Sequence, residues 1–199
     1  MSIYEFLQGF IIGSSLIIAI GPQNLFVINQ GLKKNYTLVV VLICSLSDSL
    51  LIVCGIYVSN SILNFNESLI IIMKFIGGVW LIFYGIIKIK NARNLLIENK
   101  KFQKLDLKSV IITTLAITYV NPHVYLDTVI LLGSISANFM SKISFGSGAI
   151  ISSFIFFFGL GYFSNFLSKF INSKKVWFYI DNTMGVLMLF YGLFFVFMN

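Results

Sequence analysis

Two carboxylic acids stand where a carboxylate is costly. Asp48 in CSLSDSLLIV and Asp127 in NPHVYLDTVILL both lie deep within long apolar runs. A charge carried into hydrocarbon is expensive unless it is paired or hydrated. His123, the sole histidine, precedes Asp127 by four residues, so on a helix the two share one face. No Lys or Arg lies at comparable depth near either acid; Lys74, the one candidate, stands near the start of its own apolar run. Acids without a built-in cation suit a site whose positive charge arrives as a substrate or a proton. The inert alternatives are an Asp48 held among Ser45, Ser47 and Ser49, and a purely structural pair of Asp127 with His123.

Two polar interruptions accompany the acids. IAIGPQNLFVINQGLKKNY (18–36) places Gly21-Pro22-Gln23-Asn24 inside an apolar run, and AITYVNPHVYLDTVILLG (116–133) places Asn121-Pro122-His123 inside another. Proline donates no backbone hydrogen bond and clashes with the preceding turn, so each segment kinks or breaks there. Asn121 is a favoured helix N-cap and Pro122 a favoured first helical residue; Gly21-Pro22 is a weaker form of the same signal. The spacing predicts two half-helices whose N-termini begin inside the apolar layer. Their free N–H groups and positive dipole ends suit an anion such as a carboxylate. An anion site beside two acids describes a zwitterion with one extra positive charge. A basic amino acid fits; an ordinary amino acid fits as well, and a simple cation would use half of the site.

The elements that must position these residues are membrane spans. The chain has 199 residues, 58% of them hydrophobic and 11% charged. Residues 6–32 and 143–168 carry no charge, and 35–66 carry only Asp48. Several stretches exceed the roughly 20 apolar residues that span hydrocarbon. The expected fold is an all-α membrane protein with six transmembrane helices, at about 4–31, 36–59, 68–90, 109–135, 144–167 and 176–198. The first is not read as a cleaved signal peptide, because Glu5 flanks it and no basic segment precedes it. A single transporter domain covers 1–199.

The net charge of +7 falls mostly in three connections: Lys33-Lys34, the run from Lys88 to Lys108, and Lys169, Lys174 and Lys175. With six spans these share one side, which the positive-inside rule makes cytoplasmic, leaving both termini outside. The 88–108 connection then faces anionic lipid, and nothing in the pattern calls for nucleic acid. Asp181, near Lys174 and Lys175, reads as interfacial. Cys44 and Cys54 stand ten residues apart on one predicted helix, too far to pair, and read as two buried thiols. No cofactor or metal is implied, for no CxxC, HExxH or His/Cys cluster is present, and no catalytic constellation points to an enzyme.

The sequence also repeats itself. GGVWLIFYGIIKI (77–89) and MGVLMLFYGLFFV (184–196) share G-V-x-x-x-F-Y-G, from Gly78 to Gly85 and from Gly185 to Gly192. The Pro-interrupted segments are first and fourth of six. Two three-helix repeats, about 1–92 and 109–199, would therefore point opposite ways across the bilayer, with the first and fourth helices broken at Pro. Inverted repeats with paired interruptions are the sequence pointer to a secondary transporter.

GPQNLFVINQGLKKNY, CSLSDSLLI, GGVWLIFYG, NPHVYLDTVILLGS and FFFGLG together resemble, in order and spacing, the LysE family of bacterial amino-acid exporters, and within it the lysine and arginine branch. The resemblance covers nearly the whole chain. It implies export of lysine or arginine across the bacterial cytoplasmic membrane, driven by the electrochemical gradient. It maps the functional polar positions onto Gly21, Pro22, Gln23, Asn24, Asp48, Asn121, Pro122 and Asp127, all expected to bind substrate. Asp48, Asp127 and His123 are the candidates for proton coupling. The implied partners are the small-molecule substrate and the lipid bilayer, and self-association of the chain is compatible with both. Export of neutral amino acids or of small or metal cations is the alternative; a passive membrane scaffold would leave the buried acids unexplained.

Overall fold

A computed structural model of the chain describes residues 2–18, 21–58, 67–97, 104–170 and 174–197, apart from the side chains at 58, 67–74, 77, 94–97, 122, 123 and 174. The described residues form helices and short connections, with no strand among them. In chain order the helices are α1 (Ile3–Ile17), α2 (Pro22–Leu32), α3 (Thr37–Val58), α4 (Glu67–Ile97), α5 (Leu107–Tyr119), α6 (Pro122–Tyr125), α7 (Leu132–Ser136), α8 (Lys142–Leu167) and α9 (Lys174–Phe197). A π-helical stretch, Leu126–Leu131, joins α6 to α7. The chain is a multi-pass membrane protein: α3, α8 and α9 are each long and apolar enough to cross a bilayer, and α1 and α2, bent by 81° at their break, meet the same measure together, as a broken span or a re-entrant loop.

The breaks fall at the prolines. α1 ends at Ile17, and α2 starts at Pro22 with Gly21 as its N-cap and no side chain capping it. α5 ends at Tyr119 and α6 starts at Pro122. A broken helix strands carbonyls that hydrocarbon cannot satisfy. Each break is closed the same way, by a side chain of the following half-helix. Asn24 Nδ2 donates to the Ile17 carbonyl at 3.0 Å, and the Tyr125 hydroxyl donates to the Tyr119 carbonyl at 2.9 Å. Thr128 Oγ1 turns back onto the Val124 carbonyl at 2.6 Å, beside the π-helical stretch.

The end of α2, the start of α5 and the first turns of α9 lie together, joined by two hydrogen bonds and by Lys33 with Asp181, so described basic residues gather at one pole of the bundle. Two bonds tie the first connection to the second: Lys104 Nζ donates to the Lys34 carbonyl at 3.4 Å, and Asn35 Nδ2 to the Leu105 carbonyl at 3.1 Å. Asp106 caps α5 here, and hydrogen bonding to Ser109 holds its carboxyl below the usual carboxylate range. Lys88, counted with the second connection from sequence, lies instead inside α4, which continues to Ile97. Lys100 and Lys101 lie outside the described residues.

Small residues let the helices touch backbone to backbone. α4 and α9 run antiparallel, and the two copies of G-V-x-x-x-F-Y-G meet each other. A methyl group added at Gly85 would lie 2.8 Å from the Gly185 carbonyl oxygen, and one at Gly185 would lie 2.9 Å from the Gly85 oxygen. Gly78 and Gly192 oppose one another in the same reciprocal fashion, at 2.8 and 2.7 Å. α3 crosses α8 antiparallel, with Val41 against Gly161 and Ile56 against Gly146. α1 lies parallel to α8, its start held by Ser2 N–H to Ser144 Oγ (3.0 Å) and by Ser141 N–H to Glu5 Oε1 (3.0 Å). Of the two cysteines, Cys44 is buried but Cys54 is exposed on the outer face of α3, which corrects the expectation that both are buried.

Candidate functional site: a polar cavity and an ion-paired cluster

The half-helix starts and both acids surround one cavity of about 110 Å³. Gly21, Pro22, Gln23 and Asn24 reach it from the start of α2, Asp48 from the middle of α3, and Asn121 from the second break. Asp127 and Thr128 enter from the π-helical stretch, whose wider turn re-aims side chains relative to an α-helix. Leu16, Ile17, Val124, Leu132, Phe157 and Tyr191 supply the apolar wall. No Lys or Arg lines the cavity among the described residues. Seven of the eight binding positions read from sequence thus meet in one place; the side chains of the eighth, Pro122, and of His123 lie outside those described.

Gly21 has extended backbone (φ −116°, ψ 178°), and a Cβ there would meet nothing within 4 Å. That open space lies directly before the uncapped N-terminus of α2. Gln23 is buried, and its side chain lies beside the Asp48 carboxylate and the Cys44 thiol, with Nε2 making no well-aligned hydrogen bond among the described residues. Asn24 differs: its amide nitrogen is already committed to Ile17. Asp48 is 3% exposed and accepts from Ser153 of α8 at 3.2 Å. Its neighbours do not hold it as the sequence alternative supposed, because Ser49 donates to the Ser45 carbonyl and Ser45 Oγ is unpartnered.

Leu25, Phe26 and Val27 of α2, Val40 and Val41 of α3, Tyr84 of α4, Ile117 of α5, and Met184 and Met188 of α9 belong to one buried apolar cluster. On α2, α3, α5 and α9 these residues lie between the cavity residues and the basic pole. Beneath the cluster sits a site the sequence reading missed. Asp181, expected at the interface, is 3% exposed and paired with Lys33 (2.9 Å) and Lys88 (3.4 Å). Asn29 Nδ2 donates to Asp181 Oδ1 at 2.6 Å, and Lys88 Nζ donates to Asn29 Oδ1 at 2.8 Å. The Lys88 ammonium also lies over the Tyr84 ring, 5.8 Å from its centroid. The cluster fastens the C-terminal end of α2 to α4 and α9. An acid inside an apolar helix was its one signal in the sequence; the partners come from 93 to 152 residues away.

Comparison with known proteins places the chain among transporters. The family described as "LysE type translocator" matches residues 14–199. Proteins named arginine exporter protein ArgO are similar along nearly their whole length. Those of Pectobacterium carotovorum and Salmonella enteritidis are 36% identical over 187 residues, 92% of this chain and 92% and 89% of theirs. That of Klebsiella pneumoniae is 36% identical over 189 residues, 93% of this chain and 90% of its own. No solved structure matches.

Proposed function

We propose, from the premise that this chain belongs to the LysE type translocator family and exports amino acids, that its substrate is basic: arginine or lysine. The observation that carries the reading is the cavity, with two carboxylates and an uncapped helix start but no described lysine or arginine in its wall. The start of α2, with Gln23 and Asn121, takes the substrate carboxylate; Asp48 and Asp127 take the cationic side chain. Arginine export is what the similar proteins' name states, and it agrees with this division of labour.

Moving a monocation out against an inside-negative potential costs about 2.3 kcal/mol per 100 mV, and one proton moving inward cancels that electrical cost. An acid that is ionised while it holds the cation, and protonated on return, couples the two movements. Asp48 or Asp127 serves as that carrier, with His123 as relay. The basic pole is cytoplasmic and both termini are outside, in the cytoplasmic membrane of a bacterium. Six spans then form two inverted three-helix repeats. The reciprocal Gly78–Gly192 and Gly85–Gly185 contacts support that symmetry, since motif copies related by a two-fold axis in the membrane plane meet antiparallel.

The test is efflux of preloaded radiolabelled arginine and lysine from cells expressing the chain, beside Asp48→Asn and Asp127→Asn at matched membrane abundance. Export of either amino acid, lost in both variants, is expected. Export that survives both substitutions removes the acids from the mechanism, and no export of either amino acid overturns the basic substrate.

A further inference from the structure

The two copies of G-V-x-x-x-F-Y-G put a tyrosine in corresponding places, Tyr84 in α4 and Tyr191 in α9. Their surroundings differ in one respect. Tyr84 is followed four residues on by Lys88, whose ammonium rests over its ring at 5.8 Å while pairing with Asp181. At the position corresponding to Lys88, the second copy has Phe195, whose ring packs on Tyr191 at 6.4 Å between centroids. Tyr191 is half-buried and lines the cavity that holds Asp48 and Asp127. Tyr84 thus stands beside an internal cation and the acid of α9 that pairs with it. Tyr191 stands in the wall of a cavity with two acids and no lysine or arginine among its described lining residues.

We infer that Tyr191 is a specificity-determining residue, the aromatic face on which the substrate's cationic side chain rests. The inference rests on the proposed basic substrate and deepens it. An aromatic face attracts a cation through its quadrupole, most strongly for a guanidinium and where water is excluded. It differs from Asp48 and Asp127 in one useful way: its attraction comes from the ring face and not from a carboxylate's charge. A carboxylate that takes up a proton lets go of the cation, whereas the ring keeps its attraction through that step. The ring therefore holds a basic side chain while one acid changes protonation, and it offers nothing comparable to an uncharged one.

The experiment uses the full-length protein in lipid nanodiscs and in proteoliposomes, with arginine, lysine and the uncharged arginine analogue citrulline. Tyr191→Phe is expected to retain the preference for arginine over citrulline. Tyr191→Leu is expected to lower it about tenfold, which corresponds to about 1.4 kcal/mol. Because Tyr191→Leu could fold poorly, the decisive series places phenylalanines carrying one, two and three ring fluorines at position 191. These keep the shape and drain the ring quadrupole stepwise, so arginine affinity should fall with each fluorine while citrulline is unaffected. A flat series, or a Tyr191→Phe variant as impaired as Tyr191→Leu, overturns the inference while leaving the exporter intact. Wild-type protein that binds neither arginine nor lysine fails at the earlier step, and both readings fall with it.

Discussion

Asp48 and Asp181 are equally buried, each 3% exposed, and the chain treats them in opposite ways. Asp181 is saturated: two ammonium groups and the Asn29 amide converge on its carboxylate. Asp48 accepts from Ser153, lies beside the Gln23 side chain, and shares its cavity with a second acid, with no described ammonium group against it. A fully compensated buried acid is part of the framework, because removing its charge leaves its partners stranded. One without a described built-in cation has room for an exchangeable partner. A buried acid is thus diagnosed by what the fold has placed against it, and only then by its depth.

That contrast is open to attack, beginning with the change expected to disturb the fold most. Asp181→Asn should destabilise the protein by about 3–5 kcal/mol, because it strands two largely buried ammonium groups. Asp48→Asn, measured by the same thermal or chemical unfolding in detergent, should not. Adding Lys88→Met to Asp181→Asn should recover at least part of the loss; equal stability for the two Asn variants would erase the distinction. Next, Gly85→Leu should cost about 1–3 kcal/mol, since α4 and α9 must separate to admit the side chain. An unchanged unfolding midpoint would mean that the backbone contact with Gly185 carries little. Tyr125→Phe removes the donor that closes the second break and should cost about 1 kcal/mol, with the Tyr119 carbonyl left to find water. Smallest for the fold is Gly21→Leu, expected to stay within about 0.5 kcal/mol because the backbone is extended and the space open. Its export should nevertheless collapse, since the new side chain occupies the anion end of the cavity; full transport would move the substrate elsewhere.

Much of the site is legible in the sequence because its signals are local. Gly21-Pro22 and Asn121-Pro122 encode helix starts in adjacent residues, and Asp48 and Asp127 announce themselves against an apolar background. The helix limits follow from the same runs, and the LysE resemblance rests on the same stretches. What escaped is what depends on distant segments meeting. Asp181 lies close to Lys174 and Lys175 along the chain, which invited an interfacial reading; its partners are brought to it by the packing of α2 and α4 on α9. Ser153 reaches Asp48 only because α8 crosses α3 at that height. The π-helical stretch that aims Asp127 has no composition of its own, and Cys54 faces outward because of where α3 sits in the bundle. Tyr191 was visible as half of a repeat, but its place in the cavity wall follows only from the packing.

The reciprocal glycine contacts between α4 and α9 carry one consequence beyond close packing. Each glycine is also a socket: Val196 and Leu189 of α9 sit against Gly78 and Gly85, and Ile89 and Ile82 of α4 sit against Gly185 and Gly192. Four such keys spaced over about two turns fix the register of the two helices as well as their separation. The seam is therefore a toothed joint, along which α4 and α9 are held as one body.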